Sequence, residues 1–346
     1  MFGTTEPTLL PLESTLSKRA ASIMSSVSPA RLRQDVLGMN YPRNRLHSPK
    51  DIVRAEEFII SAFQDAGWQT KRHSFSVRQA NGFLDYGDFS PTVYPELSGV
   101  NLTAVKPGEA SNDTLVIEAH YDTVRMSPGA DDNTASVAAL LELARVLKDY
   151  KFKHTVMLAT CDMEEVGYIG ATQLVKQLAN EYRLRGAIVF ETMAYLSRKP
   201  NSQALPPGFG FVYPDQASRL RNRGYVGDNT VVIYHNNARS LAVGFSESLA
   251  HIVGADSVML LRAPGDIPVL GRLLRTLFYS LIRQFYRADH YPFLVAGIPA
   301  IQITDSANFR NPNYHKMTDT PDTLDYDRLA SIVAATATTI FGSDSV

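Results

Sequence analysis

The segment from Thr114 to Phe190 constrains the fold more than any other part of this chain. Three short apolar runs, Thr114 to Ala119, His154 to Thr160 and Gly186 to Phe190, alternate with two stretches that read as helices, Asp132 to Tyr150 and Ile169 to Asn180. The runs are almost continuously apolar, as in strands covered on both faces. Strands of that kind separated by helices rejoin one sheet through crossovers. The β-α-β-α-β rhythm therefore predicts an α/β fold: a mixed, mainly parallel central sheet with helices on both faces. In such sheets ligands bind beyond the carboxyl ends of the strands.

The flanking segments extend this pattern. Residues 1–15 read as a flexible arm, and Thr15 to Ser26 and Pro29 to Gly38 as short helices. Ser48 followed by Pro49 marks a helix start, with Ser48 as the capping side chain; Ile52, Ala55, Ile59 and Ala62 keep helical spacing, and Gly67 marks the stop. Thr70 to Val77 alternates, and Asn81 to Ser98 carries Gly and Pro, so this part predicts antiparallel edge strands with loops; Val100 to Val105 is a further strand. Residues 193–230 are rich in Ser, Pro, Arg, Asn and Gly, with a strand expected around Phe211, and predict a lid or substrate loop. Val231 to Tyr234 and Ala300 to Thr304 read as strands. Ser240 to Ile252, Pro268 to Arg287 and the segment from Tyr326 onward read as helices. No repeat or composition break interrupts the chain, so residues 1–346 are expected to form a single domain.

Composition narrows the function classes. A net charge of −1 gives no electrostatic footprint for nucleic acid or an anionic membrane, and 45% hydrophobic with 20% charged residues is an ordinary globular balance. No run of about 18 apolar residues is present. One cysteine excludes a disulfide framework, and Cys161, at the end of a buried run, reads as an inert core thiol. The first residues show no basic stretch followed by an apolar one, so a cytoplasmic location is expected, with export the alternative for a trimmed chain.

The chemistry gathers where the apolar runs end. Glu118-Ala-His-Tyr-Asp-Thr-Val124, Gly129-Ala-Asp-Asp-Asn133 and Cys161-Asp-Met-Glu-Glu-Val-Gly167 place imidazole and carboxylate groups at successive strand ends, and Glu191 follows the third run. Such groups are costly to desolvate unless paired or bound to metal. Zinc takes nitrogen and oxygen ligands and leaves a position open for water. The chain offers His120, Asp132, Glu165, Glu191 and, far downstream, His315. Five ligands exceed the need of one tetrahedral ion and suit two ions about 3.5–4 Å apart, bridged by one carboxylate. Glu164 lies beside Glu165, so on a turn one can bind metal while the other serves as general base.

These motifs resemble the bacterial leucyl-type zinc aminopeptidase family of co-catalytic di-zinc exopeptidases, to which glutaminyl cyclase is related. The resemblance rests on His-Tyr-Asp at 120–122, Gly-Ala-Asp-Asp-Asn at 129–133, Glu-Glu-Val-Gly at 164–167, Asp-His-Tyr-Pro-Phe at 289–293 and Tyr-His at 314–315. It implies that Asp132 bridges two zinc ions, that His120 and Glu191 complete one, and that Glu165 and His315 complete the other. It further implies Glu164 as the base and Asp122 as the carboxylate that orients His120. Asp131 is the alternative to Asp132, unless it caps the following helix. Asp289 and His290 match a segment with a supporting or substrate-facing role, although Ala288 stands where the family has Ser. Tyr314 is placed either to polarise a substrate carbonyl or to pack beside His315. Glu191 occupies a position that is Asp in many family aminopeptidases and Glu in others.

The resulting expectation is a zinc-dependent aminopeptidase acting on peptides with a free N-terminus, without nucleic-acid or membrane partners. Two other readings stand beside it: a glutaminyl cyclisation enzyme with one zinc, and a non-enzymatic binding module of the same fold. Relatives of the last kind lose ligands, and none of the five is missing.

Overall fold

The fold was analysed in a computed structural model, which describes residues 5–84, 90–266, 271, 276 and 279–344. The expected helix over Pro268 to Arg287 therefore lies partly outside the described residues, as do residues 1–4 of the expected arm. Eight strands form one sheet: β1 Gln69–Phe83, β2 Pro91–Lys106, β3 Ser111–His120, β4 His154–Cys161, β5 Arg183–Phe190, β6 Thr230–Tyr234, β7 Val258–Arg262 and β8 Ala300–Thr304. Their spatial order is β1-β2-β4-β3-β5-β8-β6-β7. The pairs β3/β4, β3/β5, β5/β8 and β6/β7 are parallel, whereas β1/β2, β2/β4 and β6/β8 are antiparallel. The mixed, mainly parallel sheet is the one the sequence predicts.

Both faces are covered. Leu115 and Ile117 of β3 join a large core with Ala135–Val146 and the C-terminal helix Tyr326–Asp344, while Val116 joins a second cluster with Ala171, Leu174 and Leu178 of the helix Ile169–Glu181. The chain leaves β3 for β4 on one side and then returns to β5 on the other side of β3. The loops beyond the carboxyl ends of these three strands diverge at that switch and leave a crevice.

Several local expectations are corrected. Ser48 does precede the helix Pro49–Asp65, but its hydroxyl turns back to accept from the amide of Asn44 at 2.8 Å and makes no capping bond. The stop at Gly67 is as read: with φ +77° it lets Gly67 and Trp68 donate to the carbonyls of Gln64 and Phe63. The strands before β3 form one long hairpin, and β2, between β1 and β4, is not an edge strand. Phe211 lies in a short helix, Phe209–Val212, followed by Pro214–Asn222, not in a strand. Phe209, Val212 and Leu220 pack on Val231, Ile233, Met259 and Leu261, so residues 209–222 have a core of their own. The helix expected from Asp132 begins at Ala135, after a π-type turn, Ala130–Thr134, in which Asp132 has φ −110° and ψ 84°. Among the described residues no helix is long and apolar enough to cross a membrane.

Candidate metal centre

His120 ends β3, Glu164 and Glu165 sit on the turn after β4, and Glu191 follows β5, so parallel pairing brings all four to one edge of the sheet. The His120 ring is set by its neighbours. Its Nδ1 lies 3.2 Å from the Asp122 carbonyl oxygen and 3.3 Å from Asp122 Oδ1. Its Nε2 faces Asp132 Oδ1 at 3.3 Å and Glu191 Oε2 at 3.5 Å. A proton on Nδ1, directed to Asp122, leaves the Nε2 lone pair facing the two carboxylates. Asp122 also accepts from the backbone amides of Glu164, at 3.1 Å, and Glu165, at 3.3 Å. One carboxylate thus ties the imidazole to the Glu-Glu turn.

Asp132 is held by contacts from far along the chain. Asp319 accepts the amides of Asp131 and Asp132 at 3.0 and 3.2 Å, which keeps this stretch out of the helix that follows. Gly129, at φ +62°, starts the turn; a Cβ there would meet the Asp132 carbonyl oxygen at 2.3 Å. Asn133 donates to the carbonyl of Phe190 at 2.9 Å and accepts from the amide of Thr192 at 3.1 Å, so it pins the turn to the end of β5. Asp131 neither caps the helix nor faces the other candidate ligands. Its carboxylate accepts from the Ala194 amide at 3.0 Å and from Asn311 Nδ2 at 2.9 Å.

The five candidate ligands fall into two groups that share Asp132. His120, Asp132 and Glu191 form one, and Asp132, Glu165 and His315 the other; within each group one ligand atom per residue lies within 4.8 Å of the others. His315 Nε2 is 2.9 Å from Asp132 Oδ2 and 3.5 Å from Glu165 Oε2. His120 Nε2, Asp132 Oδ1, Glu165 Oε1 and Glu191 Oε2 are buried and have no hydrogen-bond partner among the described residues. Leaving such atoms unpaired costs about 1–3 kcal/mol each, and more when they are charged. Two imidazoles and three carboxylates suit zinc and similar divalent cations, and the orphaned atoms face one another. The residues fit a pair of cations.

The electrostatics point the same way. Burial works to raise the Asp132 carboxyl, but the imidazoles of His120 and His315 outweigh it and hold the group well below the usual carboxylate range. Burial pushes Glu164 and Glu165 well up, reinforced by the carboxylates around them. Burial would lower His120, yet Glu191 and Glu164 push it well above its ordinary value. Cations set between these carboxylates relieve their mutual repulsion.

Tyr314 sits as one of its two expected readings has it, whereas Asp289 and His290 are placed away from the cavity beside Glu191. Tyr314 stacks on the His315 ring with centroids 3.8 Å apart and also lines that cavity. Asp289 and His290 are about 1% exposed and, unlike Tyr314, do not line it, which fits the supporting one of their two expected roles. Asp289 lies against Glu118 and Cys161 beneath the centre, where burial pushes Glu118 up to about 7 and the other two well up. His290 Nε2 is 2.9 Å from the Phe285 carbonyl oxygen. Asn101, a glycosylation sequon, is fully buried, donating to the Gly170 carbonyl and accepting from the Asp162 amide.

Sequence reasoning gave no role to Arg43, Asp319, Asn133 or Asn311, which hold the segments carrying the candidate ligands, Asn311 by way of Asp131. None stands at the end of an apolar run, so only their partners reveal them.

The model of peptidase family M28 matches residues 101–223 and 271–340. The uncharacterized protein YfbL of Escherichia coli K12 is 30% identical over 248 residues, covering 68% of this chain and 69% of YfbL. A probable zinc metalloprotease of Pyrenophora tritici-repentis is 24% identical over 327 residues, covering 85% of this chain and 69% of that protein. Among solved structures, the aminopeptidase from Aneurinibacillus sp. strain AM-1 superposes with a TM-score of 0.65 at 13% identity, covering 93% of this chain and 95% of its own. That last likeness concerns the fold alone. The two matched segments of the family model contain every residue of both ligand groups, and this chain is a member of peptidase family M28.

Proposed function

We propose that this chain is a zinc-dependent exopeptidase that removes the N-terminal residue from peptides, using two zinc ions. The observation that carries the reading is the sharing of Asp132 by two complete ligand groups. The relative named a probable zinc metalloprotease supports the choice of metal. His120, Asp132 and Glu191 would hold one ion, and Asp132, Glu165 and His315 the other. Bound there, zinc would supply Lewis acidity toward a scissile carbonyl and toward water.

The chain's own groups do the rest. Glu164 takes the proton of the attacking water and returns it to the departing amine. Asp122 keeps that carboxylate in place through the backbone amides of the Glu-Glu turn. The concentration of acidic groups around Glu191 holds the free α-ammonium of the substrate, and Tyr314 donates its hydroxyl to the carbonyl oxygen. Residues 203–206, 209, 220 and 229 line the adjoining cavity and make the 193–230 segment its substrate-side wall. The glutaminyl cyclisation reading calls for one zinc, and the second ligand group speaks for two.

The test compares aminoacyl amides and peptides carrying free or acetylated N-termini, with and without chelator, on wild-type protein and Glu164→Gln. Free N-termini alone should be processed, and chelation should abolish turnover. The variant should bind zinc normally yet turn over roughly 10²–10⁴-fold more slowly. Equal cleavage of acetylated peptides would overturn the exopeptidase reading, and ring closure of N-terminal Gln without release of a residue would replace hydrolysis by cyclisation. Near-normal turnover by Glu164→Gln would remove that residue as the base.

A further inference from the structure

The cavity that begins at Glu191 and Tyr314 encloses about 830 Å³, counting its open mouth. Its floor is one face of the sheet. Val231 and Ile233 from β6 and Met259 and Leu261 from β7 make that floor apolar, and Phe209 and Phe285 stand beside it. A single polar side chain breaks into it from the middle of a strand. Gln302, on β8, pairs with Val189 on one side and Ile233 on the other and is 5% exposed. Its strand neighbours Ile301 and Ile303 lie in the large core on the opposite face.

Glu191 and Tyr314 belong to the candidate metal centre, and other polar side chains of the lining have partners within the protein. Gln203 accepts from Arg310 Nε at 2.8 Å and donates to the Ala204 carbonyl at 3.0 Å, and Asn229 accepts from the same guanidinium. Thr304 lies 3.1 Å from the Thr192 hydroxyl and accepts the Ser306 amide at 2.9 Å. Gln284 accepts from Arg287 at 2.8 Å. Gln302 Oε1 is buried and has no hydrogen-bond partner among the described residues. Leu at this position would pack as well and leave nothing unpaired, so the carboxamide is not explained by folding.

We infer that Gln302 selects the N-terminal residue of the substrate, and that the preferred residue is tyrosine. This inference rests on the exopeptidase reading above. The floor demands a large apolar side chain, and the one unengaged carboxamide demands a hydrogen-bonding group on it. A phenolic hydroxyl both donates and accepts, so it matches a carboxamide in either orientation. A charged side chain would be desolvated against the floor residues Val231, Ile233, Met259 and Leu261, which carry no counter-charge; Arg287, elsewhere in the lining, is engaged with Gln284. Phenylalanine and leucine fill the space but leave the amide unpaired, and a site built around a hydrogen bond rejects analogues that lack it far better than an apolar pocket rejects an added group.

The test measures kcat/KM for the amides of tyrosine, O-methyltyrosine, phenylalanine and leucine on zinc-loaded wild-type protein and on Gln302→Leu. Wild type should favour tyrosine over phenylalanine by about tenfold or more, with O-methyltyrosine, which cannot donate, behind tyrosine. In Gln302→Leu the tyrosine-to-phenylalanine ratio should fall to near one. A wild-type ratio near one, or an unchanged ratio in the variant, overturns the inference while leaving the exopeptidase reading intact. Failure to process any of the four amides overturns that reading, and the inference with it. The wild-type series decides the matter even where the variant does not fold.

Discussion

Arg43 shows how much of the metal centre depends on a side chain that carries no ligand atom. Its guanidinium is fully buried and donates to the carbonyls of Tyr121 at 2.5 Å, Met39 at 2.8 Å, and Tyr41 and Pro128 at 3.2 Å, and to the Thr134 hydroxyl at 2.7 Å. Burial lowers it to about 10, which leaves it charged at neutral pH. It therefore clamps the loop after His120 to the turn that carries Asp132. Arg43→Met should cost roughly 3–5 kcal/mol, because several buried carbonyls lose their donor together. Urea unfolding of the two proteins measures this, and a loss below about 1 kcal/mol, the range of an ordinary surface change, would remove Arg43 from that role. Lysine should not rescue it, since a point charge cannot reproduce the planar fork. His120 and the Glu-Glu pair announce themselves by standing at the ends of apolar runs. Arg43 has no such setting, and its importance is visible only through partners between 2 and 91 residues away.

Among the elements, the hairpin β1/β2 reaches furthest toward the chemistry. Its distal part packs Ala80 and Leu97 against Met163, Val166 and Ile169, on the turn that carries Glu164 and Glu165. The amide of Phe83 donates to the Val166 carbonyl at 3.1 Å, and a Cβ on Gly82 would approach the same oxygen to 2.2 Å. Gly82→Ala should therefore displace the turn that carries Glu164 and Glu165 and, on the proposed mechanism, lower kcat by roughly ten- to a hundredfold with the fold retained. Steady-state kinetics beside circular dichroism decide this, and an unchanged kcat would show that the hairpin does not position the turn. The alternation over Thr70 to Val77 marks the start of this hairpin, but the Gly- and Pro-bearing part reads locally as loop. The partner strand supplies the hydrogen bonds that extend it. β7 went unseen for a related reason: a four-residue apolar run closed by Arg262 has no periodicity of its own, and only its ladder with β6 makes it a strand. The run at Phe211 is helical because Phe209 and Val212, three residues apart, face the same apolar floor while Phe211 stays exposed.

At the scale of the whole molecule, burial of His290 links stability to pH. Burial lowers this imidazole from its ordinary 6.5 to about 4. The unfolded chain binds a proton near pH 6.5 and the folded chain only near pH 4, so between those values the unfolded state holds more protons. The contribution is fully present above pH 6.5 and is lost as pH falls toward 4. The depression corresponds to about 3 kcal/mol. Unfolding free energies of wild type and His290→Gln, measured from pH 7 to 4, should differ in slope across that window. Parallel curves would show that His290 is not buried in its neutral form.

The class of fold and the candidate ligands at the strand ends, His120, Glu165 and Glu191, were legible in the chain because both depend on local pattern, whereas Asp132 and His315 were legible through the motifs that contain them. Continuous apolar runs require strands covered on both faces, and polar groups at their ends require a partner that a strand interior cannot supply. Which residues come within reach of one another is a different matter. That Asp132 rather than Asp131 joins both groups follows from Asp319, which holds the two amides and stops the helix from starting there. That Asp289 and His290 are sealed beneath the site, and that Gln302 opens into the cavity, depends on strand order and on the helices packed around it. Such contacts join residues whose separation along the chain exceeds any sequence period, so only tertiary packing decides them.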